Sequence, residues 1–292
     1  MHGPARHAAA GVLIAGALLL YGCARPQEVQ LLRQEAAAAT VAVLAVPTQT
    51  PSPLAIQAGP GRLISVGAHR LYIECLGAGS PTVVLDAGGE PHRRAWDRVL
   101  NDTQAFTRIC IYDRAGTGSS ENASVPRTSR QVVDELRTLL VNAGLTGPFI
   151  LAGHAFGGLN VRLHASYYPG DVAGLVLLNP FEESSFLQYI AQLSGDQIAG
   201  YVRLTTAMGE GLDPVASALQ MVGAPQLRPL PVVIVAPRKG IPAANRDYLA
   251  GLAGRMPGSR LLYADDSGQY VHLDEPDLAV DAIRQVVLAV RG

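Results

Sequence analysis

The fold is decided by one stretch of the sequence, Phe149-Ile-Leu-Ala-Gly153-His-Ala-Phe-Gly157-Gly158. Its first half is a short apolar run, which is typical of a strand buried on both faces of a sheet. The glycines that follow predict a sharp turn from this strand into a helix, because a tight turn leaves no room for nearby Cβ atoms. Such a turn would present the side chain of Ala155 above the sheet, close to the N-terminus of the helix.

Strand and helix signals alternate on both sides of this turn, from residue 61 to residue 292. This alternation favours a mostly parallel sheet covered by helices on both faces. A capping box formed by Thr128 and Gln131 begins one helix, and Pro276 begins the last. Between residues 181 and 230 the alternation stops, and small helices are predicted to form a lid over the sheet edge where such sheets bind ligands. We predict eight strands, at residues 62–66, 71–75, 82–86, 108–112, 149–153, 172–178, 232–235 and 260–263.

Five motifs of the region 61–292 resemble, in order, those of bacterial α/β hydrolases. They are LDAGG at 85–89, YDRAGTG at 112–118, GHAFGG at 153–158, LVLLN at 175–179 and SGQYVHLDEP at 267–276. The resemblance implies the α/β-hydrolase fold, in which an eight-stranded, mostly parallel sheet lies between helices and a helical lid follows the sixth strand. In such proteins a serine at the nucleophile elbow attacks an acyl carbon, a histidine after the last strand acts as base, and a carboxylate orients that histidine.

All three positions of this catalytic triad carry other residues here. Ala155 stands where the resemblance implies serine, Gln269 where it implies histidine, and Asn179 where relatives tend to carry aspartate. Residues 236–240, after the seventh strand, offer no carboxylate, and Asp247 lies in the next predicted helix. A methyl group cannot attack a carbonyl carbon, and a neutral amide cannot accept a proton near pH 7. The sequence therefore predicts that the ordinary hydrolase mechanism is lost.

The resemblance also implies an oxyanion hole, formed by the backbone N–H groups of Gly89 and Phe156. The loop after Gly89 continues with Glu90 and Pro91. Proline lacks a backbone donor, and the glutamate brings negative charge to a site meant for developing negative charge. This loop is a further indication that hydrolysis has been lost.

Four side chains near the predicted pocket are candidate ligand contacts: Glu90, His92, Arg93 and His154. Solvated loop residues are an equally good interpretation of positions 90–93. His164 and His272 are not convincing replacements for the missing base, because His164 falls on the helix after the turn and His272 should face elsewhere.

The N-terminal segment, residues 1–23, is predicted to direct export. Arg6 precedes an apolar run, and Leu-Tyr-Gly-Cys at 20–23 resembles a bacterial lipoprotein box with lipidation at Cys23. The uncharged stretch 7–24 could instead remain as a single transmembrane anchor, or form a buried helix. Residues 24–60 form a linker, which would leave the domain 61–292 extracytoplasmic and anchored to the membrane.

Composition excludes several classes of protein. A formal net charge of −1 gives no bulk attraction for nucleic acid. Three cysteines are too few for a disulfide scaffold and fit no zinc spacing, and nothing indicates a metal or an organic cofactor. We expect Cys75 and Cys110 to be buried free thiols. A bridge between them would require neighbouring strands and an exported chain.

These observations lead to three hypotheses on function. The first is a non-catalytic member of the fold, whose exported pocket binds a small-molecule ligand or a protein partner. The second is a serine ester or amide hydrolase whose triad has been inactivated by substitution. The third is different chemistry, with Glu90 or His92 as the base.

Overall fold

A computed structural model describes residues 61–89, 93–207, 210–241 and 243–292, without the side chains of residues 93, 243 and 244. Its eight strands lie within two residues of the predicted positions, which confirms that part of the prediction. The strands are β1 (Arg62–Ser65), β2 (Arg70–Leu76), β3 (Val83–Asp86), β4 (Ile109–Tyr112), β5 (Phe149–Ala155), β6 (Val172–Pro180), β7 (Val232–Pro237) and β8 (Arg260–Ala264). They form one sheet in the order β1-β2-β4-β3-β5-β6-β7-β8, in which only the pairs made by β2 are antiparallel.

The helices begin where their capping residues predict. The Gln131 side chain accepts a hydrogen bond from the backbone N–H of Thr128 (2.8 Å), and Pro276 is the first residue of the last helix. The α-helices of the described ranges are α1 (Asp97–Thr103), α2 (Ser129–Asn142), α3 (Phe156–Tyr167), α4 (Glu183–Ile190), α5 (Gly195–Thr206), α6 (Pro214–Val222), α7 (Ala243–Arg255), α8 (Val271–Asp274) and α9 (Pro276–Arg291). Single 3₁₀ turns lie at Arg93–Trp96 and Pro169–Asp171.

The sheet is buried on both faces. In β5 the side chain of Ile150 points into one apolar cluster, with α1 and α9, and that of Leu151 into another, with α2, α3 and α7. Because alternate residues of a strand point to opposite faces, a strand with a helix layer on each side must be apolar throughout. This is why residues 149–152 form an uninterrupted apolar run. Because β5 lies in the middle of the sheet, the glycine-rich turn that follows it lies at the centre of the sheet.

Three helices, α4 to α6, fill the region between β6 and β7, as predicted for residues 181–230, and its described part contains no strand. They share a small apolar core of Phe186, Ile190 and Ala218. The segment before α6 is held to the rest of the domain by its backbone, since the N–H of Arg127 donates to the carbonyl of Gly211 (2.8 Å). We refer to α4–α6 as the lid.

The expectation of free thiols is wrong, because Cys75 and Cys110 form a disulfide. Strands β2 and β4 are antiparallel neighbours, and the register pairs these two residues directly, with their Cα atoms 4.0 Å apart. The linear sequence does not reveal this pairing, because β3 comes between the two strands in the chain but not in the sheet.

Reduction of this disulfide should destabilise the domain. The bridge joins residues that are 35 positions apart in the chain. For a loop of that length, loop-closure entropy predicts that the bridge raises the free energy of unfolding by about 3–4 kcal/mol. We expect dithiothreitol to lower the free energy of urea unfolding of the wild type by about that amount. A Cys75→Ala/Cys110→Ala variant should start at the lower stability and show no response to the reductant. An equal response of both proteins would contradict the bridge.

Residues 1–60 lie outside the described residues, and with them Cys23, the predicted anchor and the linker. Within the ranges that the structure does describe, no helix is both long enough and apolar enough to cross a membrane.

Candidate functional site

The candidate site is centred on the sharp turn between β5 and α3, which we call the elbow (residues 153–158). Ala155 ends the strand with φ 47° and ψ −116°, and α3 begins at the next residue. A residue with a Cβ atom rarely adopts positive φ, and such a conformation persists only where the surroundings impose it. The chain thus keeps the strained geometry of a nucleophile elbow with a methyl group at its centre.

The elbow glycines are required by close backbone approaches. A Cβ atom on Gly153 would lie 2.4 Å from the carbonyl oxygen of Gly157, and one on Gly157 would lie 2.1 Å from that of Asp86. A Cβ on Gly158 would meet Pro180 at 2.7 Å. The elbow is therefore wedged between β3 and β6, as the glycine spacing predicts.

Replacing Ala155 by glycine should stabilise the protein. Backbone strain of this kind costs about 1–3 kcal/mol, and glycine relieves it at an entropic cost of about 0.5–1 kcal/mol. We expect Ala155→Gly to raise the free energy of unfolding by about 1 kcal/mol in urea titrations. The matched control is Ala152→Gly in the same strand, where φ is not positive and the residue is fully buried, and this change should destabilise. Destabilisation by both changes would show that Ala155 is not strained.

The structure brings Asn179 and Gln269, the two other positions that the resemblance assigns to a triad, together beside the elbow. Asn179, at the end of β6, is nine-tenths buried and also has positive φ, at 41°. Its side-chain amide donates to the backbone carbonyl of Gln269 (3.4 Å) and accepts from the amide of Asn245 on α7 (3.4 Å). The Gln269 side chain itself is exposed, in the loop between β8 and α8. Neutral amides thus occupy the places where the resemblance implies an acid and a base.

His154 holds the loop that carries Gln269. Its ring is fully buried, and its Nε2–H donates to the carbonyl oxygen of Gln269 (2.9 Å). Behind it, His272 stacks on Trp96 at 4.1 Å with nearly parallel rings. These contacts give His154 a positioning role within the elbow, and the ring centre of His272 lies 4.6 Å from that of His154.

The two candidate oxyanion donors flank the elbow. Phe156 is the first residue of α3, so its N–H has no partner within the helix, and Gly89 is exposed in the loop after β3. Glu90 and His92, two of the candidate ligand contacts, lie outside the described residues, as does the side chain of Arg93.

Comparisons with known proteins agree with this geometry. Residues 82–210 match the family model described as "Serine aminopeptidase, S33". The chain is 33% identical over 156 residues to the lipase LipV of Mycobacterium tuberculosis (53% of this chain, 55% of LipV), and 34% identical over 104 residues to the protein YqjL of Bacillus subtilis (36% and 41%). An esterase from Thermogutta terrifontis superposes with a TM-score of 0.59 at 20% identity, over 80% of this chain and all of the esterase.

The chain has the α/β-hydrolase fold. It spans only about two fifths to half of the lengths of these two curated relatives. At 20% identity, the structural likeness to the esterase shows the fold alone.

In this α/β-hydrolase fold, a buried arginine clamps the loop that leads to Gly89. Arg114 is 5% exposed and pairs with the fully buried carboxylate of Asp86 (2.5 Å). The same guanidinium donates to the carbonyls of Ala87 and Gly88, and it also binds Glu210 of the lid through both carboxylate oxygens. Arg114 belongs to the motif at residues 112–118, which forms a tight turn after β4. It also ties the lid to the loop after β3, which sequence reasoning missed because Glu210 stands in no motif.

A second buried ion pair braces the elbow from below. Arg162 of α3 donates to the carbonyl oxygens of Gly158 (3.2 Å) and Phe181 (3.1 Å), and binds Glu183 through both carboxylate oxygens. Burial opposes ionisation of Glu183, but Arg162 and a hydrogen bond from Tyr248 outweigh it and lower the pKa of that carboxyl. The pair therefore stays charged and fixes both backbone segments that flank the elbow. No sequence signal links these residues.

A series of aromatic rings leads from the elbow into the lid. Phe156 contacts Phe181 edge-on at 5.4 Å, Phe181 contacts Phe186 at 5.2 Å, and Phe186 lies 6.0 Å from Tyr201. Uncharged aromatic rings thus connect Phe156, which follows Ala155 in the chain, with the lid.

Other residues weighed as chemical groups have structural roles. Asp113 accepts a hydrogen bond from the backbone of Ser119, and the hydroxyl of Ser120 donates to the carbonyl of Asp113, so these residues stabilise the local turn. Burial lowers the pKa of His164 to about 4, which makes it a poor base. Asp247 is exposed on α7. Across the described ranges, no group of three His, Cys, Asp or Glu side chains could hold a metal ion.

Proposed function

We propose that this protein is a non-catalytic member of the α/β-hydrolase family, whose pocket above Ala155 binds a small ligand without cleaving it. The observation that carries the proposal is the position of Ala155. The strained elbow is kept, with glycines at each close approach, yet it presents a methyl group. A methyl group has no lone pair with which to attack a carbonyl carbon.

The substitutions around the elbow support the same conclusion. With Asn179 and Gln269 in place of an acid and a base, the site has neither the general base that accepts a proton nor the carboxylate that orients it. In subtilisin, loss of the catalytic serine alone lowers turnover about a millionfold. Three simultaneous losses leave binding as the property that the site retains.

The retained groups favour an uncharged ligand with an apolar or aromatic part. Phe156 and Phe181 offer ring faces and edges, and the side-chain amides of Asn179 and Asn245 offer neutral hydrogen-bonding groups. A charged ligand would lose hydration without gaining an opposite charge from these four residues. A protein partner would have to insert a side chain of the same chemistry.

Binding can be measured with an unreactive probe that resembles an ester substrate. We expect 4-nitrophenyl butyl ether to bind the wild type saturably in equilibrium dialysis. Phe181→Ala should weaken binding at least about fivefold, because one ring face is lost. The control, Phe106→Ala, removes a ring that packs on the opposite face of the sheet, and should leave binding unchanged. Non-saturable uptake, or equal effects of both variants, would argue against a pocket at the elbow.

We further propose that the domain is exported and held at the membrane through residues 1–23. The Cys75–Cys110 disulfide supports this location, because disulfides persist in oxidising compartments and are rare in the cytosol. Fractionation of the native host should place the protein in the membrane fraction with these two cysteines oxidised. Cys23→Ser should prevent lipid attachment if Cys23 is the anchor. A soluble cytoplasmic protein with both thiols reduced would contradict the proposal.

A further inference from the structure

A cavity of about 190 Å³ lies beside the C-terminal half of α3, and none of the elbow residues 153–158 lines it. It is formed by the C-terminal half of α3, the segment that follows α6 and the end of α7. Most of its wall is apolar, and the apolar side chains include Met221, Leu227, Leu230, Val232, Leu252 and Met256. Pockets for drug-sized ligands measure about 300–1,000 Å³, so this cavity suits a molecule with fewer heavy atoms.

Two arginines of the cavity wall, Arg228 and Arg255, are exposed and have no carboxylate partner in the described part of the chain. The guanidinium of Arg228 donates to the carbonyl of Val172 (2.7 Å), and that of Arg255 lies 5.5 Å from the ring centre of Tyr248. By contrast, Arg162 in the same wall is neutralised by Glu183. The cavity therefore has two uncompensated positive charges beside an apolar interior.

The wall also contains a buried hydroxyl that is left without a partner. Ser166, on α3, is 5% exposed, and its Oγ has no hydrogen-bond partner among the residues that the structure describes. Buried polar groups in native proteins are nearly always hydrogen-bonded.

We propose that this cavity binds a small monocarboxylate with a short apolar chain. The carboxylate pairs with the two uncompensated guanidinium groups, because charge-assisted hydrogen bonds to arginine are the strong ones, and the chain occupies the apolar interior. The proposal is independent of the function assigned to the elbow. None of the lining residues belongs to the elbow or to the triad positions, so failure of one proposal leaves the other standing.

Methionine methyl groups report directly on this cavity. The chain has four methionines, and two of them, Met221 and Met256, line the cavity. In protein labelled with ¹³C at the methionine methyls, Met221→Leu and Met256→Leu identify the two signals by their loss. We expect titration with hexanoate to shift both signals with one Kd of about 1 mM or below. The alcohol 1-hexanol has the same chain without the charge, and should bind at least about tenfold more weakly.

A pair of double variants tests the role of the charges. Arg228→Gln/Arg255→Gln should weaken hexanoate binding at least about tenfold. Arg203→Gln/Arg260→Gln removes two exposed arginines that do not line the cavity, and should leave binding unchanged. The proposal is overturned if hexanoate does not shift the two signals saturably, if 1-hexanol binds equally well, or if both double variants behave alike. Unchanged thermal melting of each variant excludes unfolding as the cause of lost binding.

Discussion

Restoring the three triad residues should convert this protein into a serine hydrolase. In the variant Ala155→Ser/Asn179→Asp/Gln269→His, we expect covalent labelling by a fluorophosphonate and turnover of short-chain nitrophenyl esters at least about a hundredfold above wild type. The physical reason is that two parts of the catalytic arrangement are already in place. The elbow has its strained backbone, and Asn179 already contacts the loop that carries Gln269.

The single variant Ala155→Ser is the matched control for this gain. It supplies a hydroxyl without a base, so its turnover should stay within about tenfold of wild type. In the triple variant, the new carboxylate at position 179 would still accept a hydrogen bond from Asn245, which keeps that carboxylate ordered. A triple variant that melts like the wild type and yet is not labelled would show that these positions do not form a catalytic site.

The second large effect is expected from a methyl group added to the elbow. A Cβ atom on Gly157 would lie 2.1 Å from the carbonyl oxygen of Asp86 and 2.6 Å from that of Ala87, and neither backbone can retreat from the centre of the sheet. We expect Gly157→Ala to cost about 3 kcal/mol or more in the free energy of unfolding, measured by urea titration.

The control is the same substitution at Gly170, in the 3₁₀ turn before β6. A Cβ atom there meets nothing within 4 Å, so Gly170→Ala should change stability by no more than about 0.5 kcal/mol. If Gly157→Ala were equally harmless, the elbow would not be wedged against β3 as described.

The elbow and the positions of the strands along the chain could be predicted because their signals are local. The apolar run at 149–152 and the three glycines that follow each report on the immediate backbone, and the structure confirms both. The lid could be recognised as helical by the same kind of pattern, since apolar residues such as Phe186 and Ile190 recur at helical spacing.

The remaining features depend on which distant segments become neighbours. Predicting the disulfide would require the register of β2 against β4. The ion pair of Arg114 and Glu210 joins residues that are 96 positions apart. The positive φ of Asn179 has no signal either, because asparagine tolerates many conformations. These features depend on the tertiary structure, and no local pattern in the sequence predicts them.

The central claim is that the group presented by the elbow is chemically inert. Intact-mass spectrometry of the purified wild-type protein, after incubation with a fluorophosphonate that labels active serine hydrolases, tests it most directly. We expect the mass to be unchanged, because Ala155 offers no nucleophile. A stoichiometric adduct on the wild type would contradict the account, since it would place a reactive hydroxyl in a site that we describe as having none.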